Sequence, residues 1–135
     1  MLFRSLPVAF PLVMAVGGFL GLIGVRIPGV EIGIALSAIV LGLAVFRRAQ
    51  PPVPVALGLV GLFAVFHGHA HGTELPPGDS GILYSLGFVI GTGLLHGCGI
   101  VLGLIDHVRW GKTLVQAAGF LIAVGGCGFL YRALA

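Results

Sequence analysis

The chain has 135 residues, 58% hydrophobic and 8% charged, with a mean hydropathy of +1.15 and a formal net charge of +3. So little polar surface cannot clothe a water-soluble globule, which excludes an ordinary soluble domain. The pI near 9.4 does not point to nucleic acid, because the basic residues stand singly or in pairs beside apolar runs rather than along one polar face.

The charges cluster at Arg4, Arg26 and Glu31, Arg47 and Arg48, Glu74 and Asp79, Asp106 to Lys112, and Arg132. The apolar stretches between them predict five membrane spans, at about 6–25, 30–46, 53–69, 82–105 and 114–131. Water is absent at that depth, so each span satisfies its own backbone hydrogen bonds as a helix. The expected fold class is therefore all-α: a polytopic membrane helix bundle forming a single transmembrane domain over residues 1–135. The ten-residue alternation of polarity that a β-barrel requires is missing.

In chain order, Met1–Ser5 with Arg4 could open a signal peptide. The apolar run that follows exceeds the usual core of ~7–15 residues and has no clear cleavage site, so it reads as a retained span. Gly17 and Gly21 stand four apart, a spacing that lets helices approach closely in a membrane, as do Gly87/Gly91, Gly93/Gly97 and Gly99/Gly103 further on. Arg26–Gly29 predicts a short turn, and Glu31 starts the second span, where it complements the positive end of the helix dipole. A Pro-rich loop, Arg47–Pro54, leads into the third span.

The third span ends in the one dense patch of chemistry, FHGHAHGTE, Phe66 to Glu74. At ~100° per residue, His67, His71 and Glu74 fall on one helical face within about 60°, while His69 points the other way. Imidazole and carboxylate suit divalent nickel, cobalt, zinc or copper, and two histidines four apart form a recurrent clamp. The cluster thus reads as a metal site, with His69 a secondary candidate; a polar interfacial cap is the structural alternative. Gly68, Gly72 and Pro76–Pro77 threaten to end the helix before Glu74.

LPPGDSG, Leu75–Gly81, predicts a loop, and its GDSG reads as a turn because no general base or oxyanion hole surrounds it. The order of HGHAHGTE also departs from the HExxH of zinc hydrolases, so neither an enzyme nor a catalytic residue is expected. His96 lies deep in the fourth span, ~20 Å from its outer end. Intramembrane ionisable residues are costly and line functional paths, although a buried histidine bonded to a neighbouring helix's backbone or to Thr92 fits equally. Asp106 and His107 close that span beside Arg109 and Lys112, as a solvated cap or an exit-side metal contact. Cys98 and Cys127 fall at depths of about 24 Å and about 6 Å from the outer end of their spans and are not expected to pair.

An N-terminus in the cytoplasm puts Arg4, Arg47, Arg48, Arg109 and Lys112 inside, leaving only Arg26 and Arg132 outside. The Glu74 loop is then external.

FHGHAHGTELP followed by YSLGFVIGTGLLHGCGIVLG resembles the HupE/UreJ family of bacterial nickel or cobalt permeases, and GLIGVRIPGVEIGIALSAIVLGL is similar to the spans that precede them. The resemblance covers nearly the whole chain. It implies secondary uptake of nickel or cobalt across the bacterial inner membrane in support of hydrogenase or urease maturation. It also implies metal contacts by His67, His71 and Glu74, with His69 at the variable position of the motif, and a functional role for His96. No tightly bound cofactor is implied; the divalent ion is cargo, with the lipid bilayer as surroundings.

Family members carry an earlier helix with HPxxGxDH, and this chain begins after the place where that helix should be. Its GLIDH, Gly103–His107, only faintly echoes that motif. Three readings stay open: a misplaced start, ligands supplied by self-association or by a partner chain, or a reduced protein that binds metal without transporting it. In every reading, protonated imidazole cannot ligate, so capture should weaken on acidification.

Overall fold

Among the described residues five α-helices follow one another: α1 (Leu6–Leu22), α2 (Val30–Phe46), α3 (Val53–Thr73), α4 (Gly81–Ile105) and α5 (Arg109–Leu134). The computed structural model describes the backbone of residues 6–75, 78, 80–105 and 107–135, and the side chains of that set apart from those of residues 6–9, 81 and 82. The expectations resting on Met1–Ser5, on Pro76, Pro77 and Asp79, and on Asp106 lie outside the described residues.

Among the described residues three helices are long and apolar enough to cross a membrane, within Val53–Thr73, Leu83–Ile105 and Arg109–Leu134; α1 and α2 are shorter apolar helices of 17 residues each. Leu94 and Leu95 of α4 are 67% and 74% exposed, and Leu83, Val89 and Leu104 of the same helix are also exposed. An apolar surface of that kind is untenable in water and natural against lipid.

The helix ends differ from the predicted spans in instructive ways. α1 stops at Leu22 rather than near 25, because Gly24 (φ +77°) enters the left-handed region. Gly24 N–H donates to Gly21 O at 3.1 Å and Val25 N–H to Leu20 O at 3.0 Å, the paired bonds of a Schellman cap. α2 ends in the same way with Arg48 (φ +54°) in the glycine position: Arg48 N–H donates to Val45 O and Ala49 N–H to Ala44 O. α3 does not end at 69 but runs through both glycines to Thr73, with Glu74 as its C-cap, N–H donating to Ala70 O at 3.0 Å. α5 begins at Arg109, before its apolar run, because a hydropathy pattern sees only the apolar part of a helix.

The chain divides into two compact units. One contains residues 1–30 and 52–96, hence α1, α3 and the first part of α4. Its seam is glycine against glycine. A methyl group added at Gly17 would strike the Val65 carbonyl, one at Gly68 the Met14 carbonyl, and one at Gly72 the Gly18 carbonyl. Residue numbers rise together along both helices, so α1 and α3 run parallel. Backbones this close gain dispersion contacts that β-carbons would hold apart. Met14, Phe63 and Ala64 are buried in this unit.

The other unit contains residues 31–51 and 97–135, hence α2, the end of α4 and α5. Here α2 and α5 run antiparallel: a methyl group at Gly42 would lie 2.8 Å from Gly119 O, and one at Gly126 would lie 2.9 Å from the Ala38 methyl. The Gln116 amide donates to Phe46 O at 2.9 Å, and the Phe46 and Phe120 rings lie 5.6 Å apart. Buried Ser37 satisfies itself on Ile34 O at 2.6 Å. Cys98 and Cys127 are both free and exposed.

Candidate functional site

The histidines of FHGHAHGTE sit on the last two turns of α3, where the helix presents two unlike faces. Gly68 and Gly72 turn toward α1, and their missing side chains permit the seam described above. His67 and His71 lie on the other side, half-buried.

His67 Nδ1 lies 2.9 Å from Phe63 O, one turn back on the same helix. A carbonyl can only accept, so Nδ1 carries the proton and the lone pair of the neutral ring belongs to Nε2. His71 Nδ1 lies 3.3 Å from the Tyr84 hydroxyl at the start of α4, and that hydroxyl donates to His71 O at 3.1 Å. The ring of Phe88 stands edge-on to His71, centroids 4.8 Å apart at 64°. Nothing in the spacing or charge of YSLGF distinguishes Tyr84 and Phe88 as neighbours of the site; only the return of α4 alongside α3 makes them so.

His69 departs from its reading as a residue on the margin of the site. It is 5% exposed, and its Nε2 lies 2.6 Å from the carbonyl of Val25, in the cap that ends α1. Here Nε2 carries the proton, and Nδ1 is buried without a partner. The sequence placed His69 correctly on a separate face, but it could not show that this face meets the exit of α1. Beside it a cleft of about 650 Å³ is lined by residues 24–28, His69 and Thr73. The Thr73 hydroxyl is engaged locally, with Ala70 O at 2.8 Å.

Glu74 is exposed at the C-cap of α3. His96 is half-buried, with Nδ1 2.8 Å from Thr92 O and its ring 5.2 Å from that of Phe10 on α1. Its backbone partner is thus an own-helix carbonyl. The ring again keeps its lone pair at Nε2. His96 lies about 18 Å along α4 from Tyr84, so it belongs to a different depth from His71. His107 is exposed in the segment between α4 and α5. Among the described residues, no three His, Cys, Asp or Glu side chains converge closely enough to hold an ion between them.

What the arrangement offers is a set of imidazoles, His67, His71 and His96, each with Nδ1 engaged by an oxygen, so that in the neutral ring Nε2 is left to act as an electron-pair donor. Metal-binding histidines are commonly oriented in this way.

Comparison with known proteins agrees with this composition of the chain. Residues 2–129 match the family model described as HupE / UreJ protein. The chain is 42% identical over 124 residues to Protein HupE of Rhizobium leguminosarum bv. viciae, a match that covers 92% of this chain and 65% of that protein. It thus spans a little under two thirds of the length of that curated relative. No solved structure matches. With nearly its whole length matched by one family model, and with the histidine run of that resemblance intact on α3, the chain belongs to the HupE/UreJ family.

Proposed function

We propose that the protein is a permease for a divalent transition metal ion, nickel or cobalt, serving hydrogenase or urease maturation in the bacterial inner membrane. The observation that carries this reading is the pair His67 and His71, one turn apart, with both Nδ1 atoms engaged by oxygen and both Nε2 lone pairs left for a ligand. Family membership supports it, as does the apolar exterior of the helices. The chain would cross the membrane about five times with its N-terminus in the cytoplasm, so that the end of α3 captures the ion outside. Glu74 would join from the exposed C-cap of α3, and His96 would offer a further imidazole at greater depth.

Uptake of radiolabelled nickel and cobalt by cells with and without the protein tests this. We expect uptake that depends on the chain and is lost in His71→Ala. Equal uptake with and without it, or an unaffected His71→Ala, sinks the reading.

A second reading is favoured by one observation: no three described donor side chains converge. The protein would then be a metal-binding accessory or one component of a larger permease, its coordination completed by a second copy or another chain. Metal binding in detergent without flux in liposomes distinguishes this reading from the first.

A further inference from the structure

His67 and His96 are oriented by carbonyls four residues back on their own helices, a partner that any helix supplies. His71 is not: the atom at its Nδ1 is the hydroxyl of Tyr84, thirteen residues on and across the loop to α4. That difference makes one imidazole of the site dependent on tertiary structure.

The hydroxyl has a single proton and lone pairs to accept with. The His71 carbonyl, 3.1 Å away, can only accept, so it takes that proton. What the hydroxyl then turns toward Nδ1, at 3.3 Å, is a lone pair, and a hydrogen bond there requires the proton on Nδ1. The neutral ring is left with its own lone pair at Nε2. Phe88, edge-on at 4.8 Å, confines the ring. A half-turn of the imidazole would put a carbon against the hydroxyl and forfeit the bond.

We propose that Tyr84 is a positioning residue: its hydroxyl fixes His71 as the Nδ1–H tautomer and so presents Nε2 to a divalent ion. The role in ion binding rests on the reading of His71 as a ligand given above; the hold on the tautomer does not. It follows that the His71 donor is set only where the first turns of α4 lie against the end of α3. Outer partners of metal-binding histidines commonly contribute about 10- to 100-fold to affinity.

The test uses the full-length chain in detergent micelles with ¹⁵N-labelled histidine, in wild type, Tyr84→Phe and His71→Ala. Long-range ¹H–¹⁵N correlation of the metal-free protein reports the tautomer, His71→Ala identifies the resonance, and Ni²⁺ titration reports affinity. Circular dichroism establishes that each variant keeps its helices, and Phe88→Leu serves as a second variant that leaves the hydroxyl in place.

The expected result is an Nδ1–H ring at His71 in wild type and in Phe88→Leu, a shift toward Nε2–H in Tyr84→Phe, and Ni²⁺ affinity about 10- to 100-fold lower in Tyr84→Phe. An Nε2–H ring in wild type, or a Tyr84→Phe protein with unchanged tautomer, overturns the proposal whatever the metal data show. Unchanged Ni²⁺ affinity in Tyr84→Phe despite an altered tautomer overturns the positioning role. Unchanged affinity in His71→Ala instead overturns the reading of His71 as a ligand, a result the tautomer measurement separates from the others.

Discussion

Gly68 and Gly72 of α3 and the glycine pairs of α4 have the same four-residue spacing and opposite fates. Gly68 and Gly72 on α3 meet the backbone of α1 so closely that neither would accept a methyl group. On α4, a methyl group at Gly87, Gly91, Gly93, Gly97, Gly99 or Gly103 would meet nothing within 4 Å. The spacing predicts a stripe, and the stripe is present on both helices. What differs is the partner: α1 brings Gly17, Gly18 and Gly21 to the seam, so both backbones can approach, whereas the α4 stripe faces no backbone of its own chain among the described residues. Small residues permit close packing; a matching surface makes it happen.

The largest effect should therefore come from filling the seam. Gly68→Val places a branched side chain on the Met14 carbonyl, which only a backbone shift can relieve. Overpacking of this kind typically costs about 1–3 kcal/mol and occasionally more. The upper end is expected here, read as a marked fall in the thermal unfolding midpoint in detergent. A Gly68→Val protein as stable as wild type would show that the α1 and α3 backbones do not touch.

Next comes His69→Ala, which strips the Val25 carbonyl of its donor at the exit of α1. The bond itself contributes about 0.5–1.5 kcal/mol, and the space left by the buried ring adds to the loss. The loss should appear in stability, with Ni²⁺ affinity far less affected than in His67→Ala or His71→Ala. The reverse ranking would place His69 among the ligands, where its unpartnered Nδ1 would then find a use.

The smallest effect is expected on α4. Gly91→Ala adds a methyl group in open space, so stability measured for the chain in dilute detergent should change by no more than about 1 kcal/mol, the helix propensity difference, and in the favourable direction. A large loss would mean that α4 packs against a surface its own chain does not provide.

Much of the candidate site was legible in the residues. Helical angles alone put His67 and His71 together and His69 apart, and the structure keeps that division. The helix does end before Glu74, at Thr73, but it runs through Gly68 and Gly72, because propensity counts the entropy that glycine loses and not the backbone contact it permits. Helical angles also passed over Tyr84 and Phe88, since an aromatic residue near the start of an apolar helix carries no signal until a partner is known.

By itself, then, the sequence determined five apolar helices, the dense histidine run on the third, and the face that each of its imidazoles occupies. All of these follow from composition and from a period of ~3.6 residues, which are local properties. Only the tertiary structure decided which glycine stripe is used, what His69 grips, and which residue sets the proton on His71. Each of those depends on a second segment, Gly17–Gly21, Val25 or Tyr84, brought alongside by folding.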